Sequence, residues 1–547
     1  MCLPVILVCS AMLQTDRPIH LTRRHFLERI SRFGGAALLG SMFALDLLGR
    51  DRGGFRLEGR APAGPGRRII ILGGGAAGLA CAFELKKLGY ECILLEARQR
   101  PGGRNWTVRR GVAETEIGNP EQVCQFDDGQ FLNAGAMRLS HHHQTTLDYC
   151  REFAIPLVPF PHFNEAAFVQ ADGHPRLRIR EIGTDLRGHT AELLAKVIRK
   201  GQLDAPLTAE DREKFIEYLR EEGRLDKSLV YPRRGDTSGD HTFLDHPRGY
   251  SVSAGTDGGP GQPTAPVELE ALIQAGYASL HPYDHELNQQ GTMLTPVGGM
   301  DRVAYAFADR LAGIIRYGAE VREIRRTPAG GVRLVYHDTA PGGKVQEVSG
   351  DYCICTLPPH LLARLPNDLA PATVAALQLG RADHAGKVGL QFKRRFWEED
   401  DDIYGGRSVT NQAISQIYYP FNGLNAGGKG VVIGAYHFSD TKVFDDLTPA
   451  GREKLTLEQG AIIHPQYPVE FENSFSVEWH RVRHSEGAWI IWDKEADFDE
   501  MQRRLTIADG PFYFAGDWLS SIVAWQAGAF VAAHRTCRQL HARASAS

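Results

Sequence analysis

The sequence predicts an α/β fold with a Rossmann-type domain, a mixed-sheet second domain and a mainly helical insertion. Three observations predict it. A strand, a glycine-rich turn, a helix and a second strand follow one another within residues 67–96. A strand, a tight turn, an acid and a helix start close the chain at 512–529. Residues 146–290 differ from both, with charged helical patterns and a loop rich in Gly, Pro, Asp and Ser at 232–265.

The chain has 547 residues, too many for one core, so two or three lobes are expected. Composition is that of an ordinary globular protein, 43% hydrophobic and 23% charged. The formal charge of −4 is uneven. Residues 1–63 carry 9 Arg against 5 acids, a surplus of +4 that leaves −8 on the rest. A mildly acidic body argues against nucleic acid as partner. The nine cysteines are scattered and include no CxxC pair, so neither a disulfide framework nor a zinc site is indicated.

The N-terminus reads as an address. Arg23-Arg24-His25-Phe26-Leu27 precedes an apolar stretch from Phe33 to Leu45. Thirteen residues are too few to span a bilayer and suit a signal-peptide core. The pair of arginines resembles a twin-arginine export signal. Residues 1–63 are therefore expected to be an export signal and linker, with Ala61-Pro62-Ala63 as one processing site and Met12 as an alternative start. The expected location is periplasmic or secreted, reached through the twin-arginine machinery after folding with cofactor in the cytoplasm. No later segment is long and apolar enough for stable membrane insertion.

Arg67 to Leu72 is a buried-strand pattern that runs into Gly73-Gly74-Gly75-Ala76-Ala77-Gly78. A helical pattern follows and stops at Gly89, and a second strand ends at Glu96. This is a complete βαβ dinucleotide fingerprint. Gly73 permits the tight turn, Gly75 lets backbone approach a pyrophosphate, and Gly78 lets helix and strand pack closely. The helix N-terminus, from Ala77 on, offers free N–H groups to the phosphates. Glu96 is placed to accept hydrogen bonds from ribose hydroxyls.

The next segment selects the dinucleotide. Ala97-Arg98-Gln99-Arg100-Pro101-Gly102-Gly103-Arg104 resembles the second fingerprint of the Gly-Gly-Arg type of FAD enzyme. The resemblance brings Ala97 and Gly103 near the cofactor and Arg104 to its phosphates. The C-terminal Phe512-Tyr513-Phe514-Ala515-Gly516-Asp517-Trp518, with the helix start at Trp525-Gln526-Ala527, resembles the closing motif of the same enzymes. It implies that Gly516 and Asp517 lie near the ribityl and phosphate groups, and that Trp525, Gln526 and Ala527 meet the flavin pyrimidine at a helix N-terminus. There the helix dipole would stabilise charge gained on reduction. Val321, in Gly318-Ala319-Glu320-Val321, is the expected adenine contact, with Cys353-Ile354-Cys355 the strand after it.

With these segments the chain is similar to flavin amine oxidases, and to the L-amino-acid oxidase branch in particular. Gly135-Ala136-Met137-Arg138 resembles the branch's Gly-x-Met-Arg segment. It implies that Ala136 and Met137 lie against the cofactor and that Arg138 clamps the substrate carboxylate, for which a planar fork of donors is suited. Lys387, in His384-Ala385-Gly386-Lys387-Val388, matches a lysine that the family places near flavin N5, where a cation favours electron transfer to oxygen. Trp525 and Tyr436 are the candidates for two aromatic faces around the amine. Ala488, in Ser485-Glu486-Gly487-Ala488-Trp489, stands where monoamine oxidases attach flavin to Cys, so the FAD is expected to be non-covalent. No metal is expected. His141-His142-His143 point in different directions on a helix, although one of them could face the pocket beyond Arg138.

The expected organisation is an FAD-binding domain from 67–105, 295–365 and 505–547, a substrate domain from 106–145 and 366–504, and a helical insertion at 146–290 that includes helices at Thr190–Lys200 and Thr208–Glu222. The resemblance implies oxidation of an L-amino acid by hydride transfer to flavin N5. With O2 and water the products are the 2-oxo acid, ammonia and hydrogen peroxide. It also carries the expectation of a homodimer. The alternatives on the same frame are an amino-acid 2-monooxygenase, and an amine or polyamine oxidase in which Arg138 is structural.

Overall fold

Four consecutive residues, Ile69 to Leu72, have no exposed surface. A strand covered on both faces belongs in the middle of a parallel sheet, and the computed structural model places it there. The residues described are 55–62, 66–202, 207–231, 247–252, 259, 261–282, 287–438 and 442–546. They belong to one unit, Gly54–Ser547. The expected export segment, with Arg23, Arg24 and Met12, lies outside the described residues.

Five parallel strands form the first sheet, in the order Ile315–Tyr317, Glu91–Glu96, Arg68–Leu72, Tyr352–Cys355, Phe512–Phe514. Counted along the chain this is 3-2-1-4-5, the order of half a doubly wound fold. Strand order reverses between the first and fourth strands, so a crevice opens beyond their C-terminal ends, at Gly73 and Thr356. Helices Ala76–Lys87 and Gln526–Ala546 share one buried cluster beside this sheet. A three-stranded ribbon, Ala319–Arg326, Val332–Asp338 and Val345–Gly350, joins the cluster that contains Ile70, Leu72 and Phe514.

The second sheet is mixed and has seven strands, in the order Phe471–Glu478, Ala385–Phe392, Gly430–Phe438, Gln416–Tyr418, Arg407–Thr410, Phe168–Gln170, Arg176–Arg178. All pairings are antiparallel except the one between Arg407–Thr410 and Phe168–Gln170. All eight residues of Ala385–Phe392 are buried, as suits its central position.

The stretch 146–290 is helical chiefly after Arg178. Helix Ile179–Arg199 starts earlier than its sequence pattern implies, because Glu181 reaches back to the Arg178 N–H at 2.8 Å. Helix Ala209–Glu222 is capped by Thr208, whose hydroxyl accepts from Asp211 N–H. Before them, Leu157–Pro161 pairs with Thr292–Pro296, and Phe168–Gln170 and Arg176–Arg178 extend the mixed sheet. Strands of three residues show no period in a sequence, yet Phe168, Val169 and Gln170 are all buried. Part of the expected loop 232–265 lies outside the described residues, and within it Tyr250–Val252 pairs with Gln262–Pro263.

Residues just before the first strand belong to the body. Phe55 stacks on His534 at 3.7 Å between ring centroids, and Ala61 N–H donates to Leu88 O. Processing at Ala61-Pro62-Ala63 would detach Phe55 from this stack. Among the described residues no helix is long and apolar enough to cross a membrane.

Candidate active site

A cavity of about 950 Å³ runs from the sheet crevice to the mixed sheet. Its crevice end is built by glycine. Gly73 has φ +96°, and a Cβ there would lie 2.8 Å from Thr356 Oγ1. A Cβ at Gly78 would sit 1.9 Å from Gly73 O, so this residue packs the helix on the turn and does not line the cavity. Gly75 does line it, and a Cβ there would meet only open space, the space a pyrophosphate needs. The helix that begins at Ala76 has no side-chain cap, so its first N–H groups, including that of Ala77, are left for a ligand. Glu96 is buried and accepts from Gly74 N–H at 2.7 Å and Arg98 N–H at 2.8 Å. Ala97, Gly103 and Val321 also line this end.

The two distant fingerprints meet in an ion pair. Both Arg104 terminal nitrogens donate to the Asp517 carboxylate, and Arg104 also donates to Ala488 O at 2.6 Å. Asp517 in turn accepts from Ala524 N–H at 3.1 Å, which fixes the turn before helix Gln526–Ala546. Gly516, Trp525 and Gln526 line the cavity, whereas Ala527 is buried behind them. Gln526 Nε2 and Asn105 Oδ1 are buried without partners, a donor and an acceptor available to a polar ring. A glycine cradle, an uncapped helix start, a ribose acid and these two orphans fit a dinucleotide with a polar ring system such as FAD. No cysteine lines the cavity, and Ala488 offers no sulfur for attachment.

At the far end stands Arg138, on a segment with little freedom. A Cβ at Gly135 would lie 1.7 Å from Arg104 O. Lys387 Nζ donates to Gly135 O, and Leu139 exchanges backbone hydrogen bonds with Leu294. Ala136 and Met137 line the cavity between them. The half-buried Arg138 guanidinium donates to Gln289 Oε1, at 3.1 Å from Nη2 and 3.4 Å from Nε. It lies 5.5 Å from the Trp525 ring and 5.8 Å from the Tyr418 ring. Among the described residues it has no carboxylate partner.

Lys387 is opposite Tyr436 in strand register, with Nζ 4.7 Å from that ring. Nζ donates to Asn133 O at 3.0 Å. Burial, and then the nearby Arg138 charge, hold its pKa well below the ordinary lysine range. Among the described residues it is the only lysine that lines the cavity. Burial raises the Tyr436 phenol to about 12, so it stays neutral. Of the three consecutive histidines, His143 lines the cavity, edge-on to Trp525 at 4.8 Å. Burial lowers its pKa to about 4, and it shares Asn288 Oδ1 with His142.

Several lining residues are absent from the sequence reading. Gln289 is 151 positions from Arg138, in a polar run without a motif. Tyr418, His162 and Arg407 form a cluster that the three-residue strands bring together. Arg98 had a signal, lying two residues past Glu96. Its side chain donates to Ser485 Oγ at 2.8 Å and its backbone N–H to Glu96.

The profile of the family described as flavin containing amine oxidoreductase matches residues 76–541. The chain is 28% identical over 504 residues to a flavin-dependent L-tryptophan oxidase of Lentzea aerocolonigenes, which covers 87% of this chain and 98% of that protein. It is 26% identical over 485 residues to an L-amino-acid oxidase of Pseudechis australis, with 84% of each chain covered. Its fold is similar to that of a putrescine oxidase bound to putrescine, at TM-score 0.57 and 19% identity over 87% of this chain and 99% of that one. It is also similar to the cyclohexylamine oxidase of Brevibacterium oxydans, at TM-score 0.56 and 15% identity over 88% and 99% of the two chains.

Proposed function

Because this chain belongs to the flavin-containing amine oxidoreductases, we infer that it is an FAD-dependent oxidase of L-amino acids. It converts the amino acid, O2 and water to the 2-oxo acid, ammonia and hydrogen peroxide. One observation carries the choice of substrate: Arg138 faces the cavity with an amide oxygen and two aromatic faces around it and, among the described residues, no acid paired with it. A half-buried cation without a counter-charge suits an anion.

The four acids that line the cavity are engaged elsewhere. Glu96 binds backbone near Gly74, Asp517 holds Arg104, Glu320 holds Arg322 and Glu486 holds Arg364. A dicationic polyamine would find no carboxylate beside Arg138 among the described residues. The Gly73–Gly78 turn, Glu96, Arg104, Asp517 and the start of the C-terminal helix hold the FAD. FAD bound there would supply two-electron redox chemistry between the substrate and oxygen.

The remaining groups orient and neutralise. Arg138 grips both carboxylate oxygens and fixes which face of the Cα is presented. Trp525, Tyr418 and Tyr436 exclude water and accept an uncharged amine between their faces. His143, neutral near pH 7, does not compete for the carboxylate. Burial chiefly, and the Arg138 charge second, depress the Lys387 pKa, and a substrate carboxylate offsets the second of these. A positive charge at Lys387 would favour electron transfer to oxygen.

The test is anaerobic bleaching of the yellow protein with twenty amino acids and a panel of amines without a carboxylate. Bleaching by amino acids alone supports the reading, and bleaching only by amines overturns it. Product analysis separates the oxidase from a 2-monooxygenase, because the latter gives the carboxamide and CO2. The same proposal includes export of the folded, flavin-loaded protein by the twin-arginine route. Arg23→Lys together with Arg24→Lys should leave it in the cytoplasmic fraction.

A further inference from the structure

Beside the cavity wall, on the far side of Gly386, lies a group of ligating side chains with no role in the reaction above. His384 Nδ1 is 2.9 Å from Asp445 Oδ2, and His480 Nδ1 is 3.8 Å from Asp445 Oδ1. The two imidazoles stack with centroids 4.2 Å apart and planes 10° from parallel. All three donor atoms lie within 4.8 Å of one another. Three ligands at zinc distances, about 2.0–2.2 Å, stand roughly 3–4 Å apart, so the set needs only a small closure.

Asp445 is free to serve because Arg481 binds its backbone oxygen, at 2.7 Å from Nε, and leaves the carboxylate to the imidazoles. A second observation points to a ligand. Glu478 is fully buried, and its Oε2 has no hydrogen-bond partner. That oxygen is 3.9 Å from His480 Nδ1, which is also buried and unpartnered. Its other oxygen accepts from His437 Nε2 at 2.8 Å, which fixes the carboxylate plane. The Arg452 guanidinium approaches only the other oxygen, at 4.0 Å, so Oε2 and His480 Nδ1 remain as two buried ligating atoms close together.

We propose that His384, Asp445 and His480, with the Glu478 carboxylate beside His480, form a binding site for a divalent transition metal of the zinc class. Two imidazoles and carboxylates favour such an ion over magnesium, which prefers all-oxygen ligands. His384 is 40% exposed and gives the ion a way in. The site joins the start of strand Ala385–Phe392, which presents Lys387, to the turn Trp479–Arg481, whose Trp479 Nε1 donates to Ala134 O. A bound ion would therefore brace the wall from which Lys387 projects.

The experiment uses untagged, flavin-loaded protein, dialysed against Zn2+ and then against metal-free buffer. Zinc content is compared with that of His384→Ala and Asp445→Asn. Wild type should retain one zinc more per chain than either variant, and Zn2+ but not Mg2+ should raise its melting temperature. The variants should show no such rise. Equal zinc content in wild type and His384→Ala overturns the proposal, and so does an equal thermal shift in the two. If Asp445→Asn fails to load flavin, the partly exposed His384 decides alone.

Discussion

Replacing Arg138 by Met keeps most of the side-chain volume and removes the charge. Gln289, its hydrogen-bond partner, is neutral and lines the same cavity, so it can turn to water and the fold should lose little stability. A substrate carboxylate would lose charge-assisted contacts worth about 1.5–3 kcal/mol. At about 1.4 kcal/mol per factor of ten, kcat/KM for the best amino acid should fall roughly 10- to 150-fold. The expected loss lies mainly in KM, because the carboxylate is bound equally before and during oxidation. Primary amines without a carboxylate should lose nothing. The substitution also removes a charge that depresses the Lys387 pKa, so any step that requires the Lys387 ammonium should persist to higher pH. Steady-state peroxide release with paired substrates, an amino acid and its decarboxylated amine, measures all three effects. A fall of less than tenfold for the amino acid, or an equal fall for the amine, would refute the clamp.

Lys387→Met removes a donor to the Asn133 and Gly135 carbonyls, at a cost on the order of 1–3 kcal/mol in stability. Stopped-flow reoxidation of the reduced protein by O2 should slow, and an unchanged rate would exclude Lys387 from that step. Gly78→Ala forces a Cβ to 1.9 Å from Gly73 O, so the variant should purify colourless or not fold, as flavin absorbance will show. Burial holds His143 and His534 neutral, with pKa values lowered to about 4 and about 3. The unfolded chain, with histidine near 6.5, then binds protons that the folded chain refuses. Stability should be complete above about pH 7 and fall as pH drops from 6.5 toward 4, with His143 alone contributing on the order of 3 kcal/mol. Denaturation midpoints that stay level over this window would contradict that account.

What the sequence revealed is what local physics controls. The turn at Gly73–Gly78 was legible because its glycine spacing is local and Gly78 answers a steric demand set by Gly73 five residues away, although the demand on Gly73 comes from the distant Thr356. Arg138 and Lys387 were legible only through the resemblance. The sequence could not say that the first pairs with an amide oxygen or that the second is buried between two carbonyls. Gln289, Tyr418 and His162 escaped because their positions depend on strand pairings across more than a hundred residues. Phe168–Gln170 escaped because three residues are too few for alternation to register. The partners Arg104 and Asp517 were each found, but not their contact, which has no echo in either segment.

That contact has a consequence during synthesis. The Arg104 guanidinium waits for a carboxylate 413 residues downstream, and the strand and helix that flank Asp517 complete both the sheet edge and the cavity. A nascent chain can shape the first βαβ unit early, but it has no closed flavin pocket until Asp517 and the helix after it have left the ribosome. Colour, and with it the capacity to make peroxide, is switched on last. A stalled or truncated polypeptide that ends before Asp517 lacks the partner of Arg104 and one wall of the pocket.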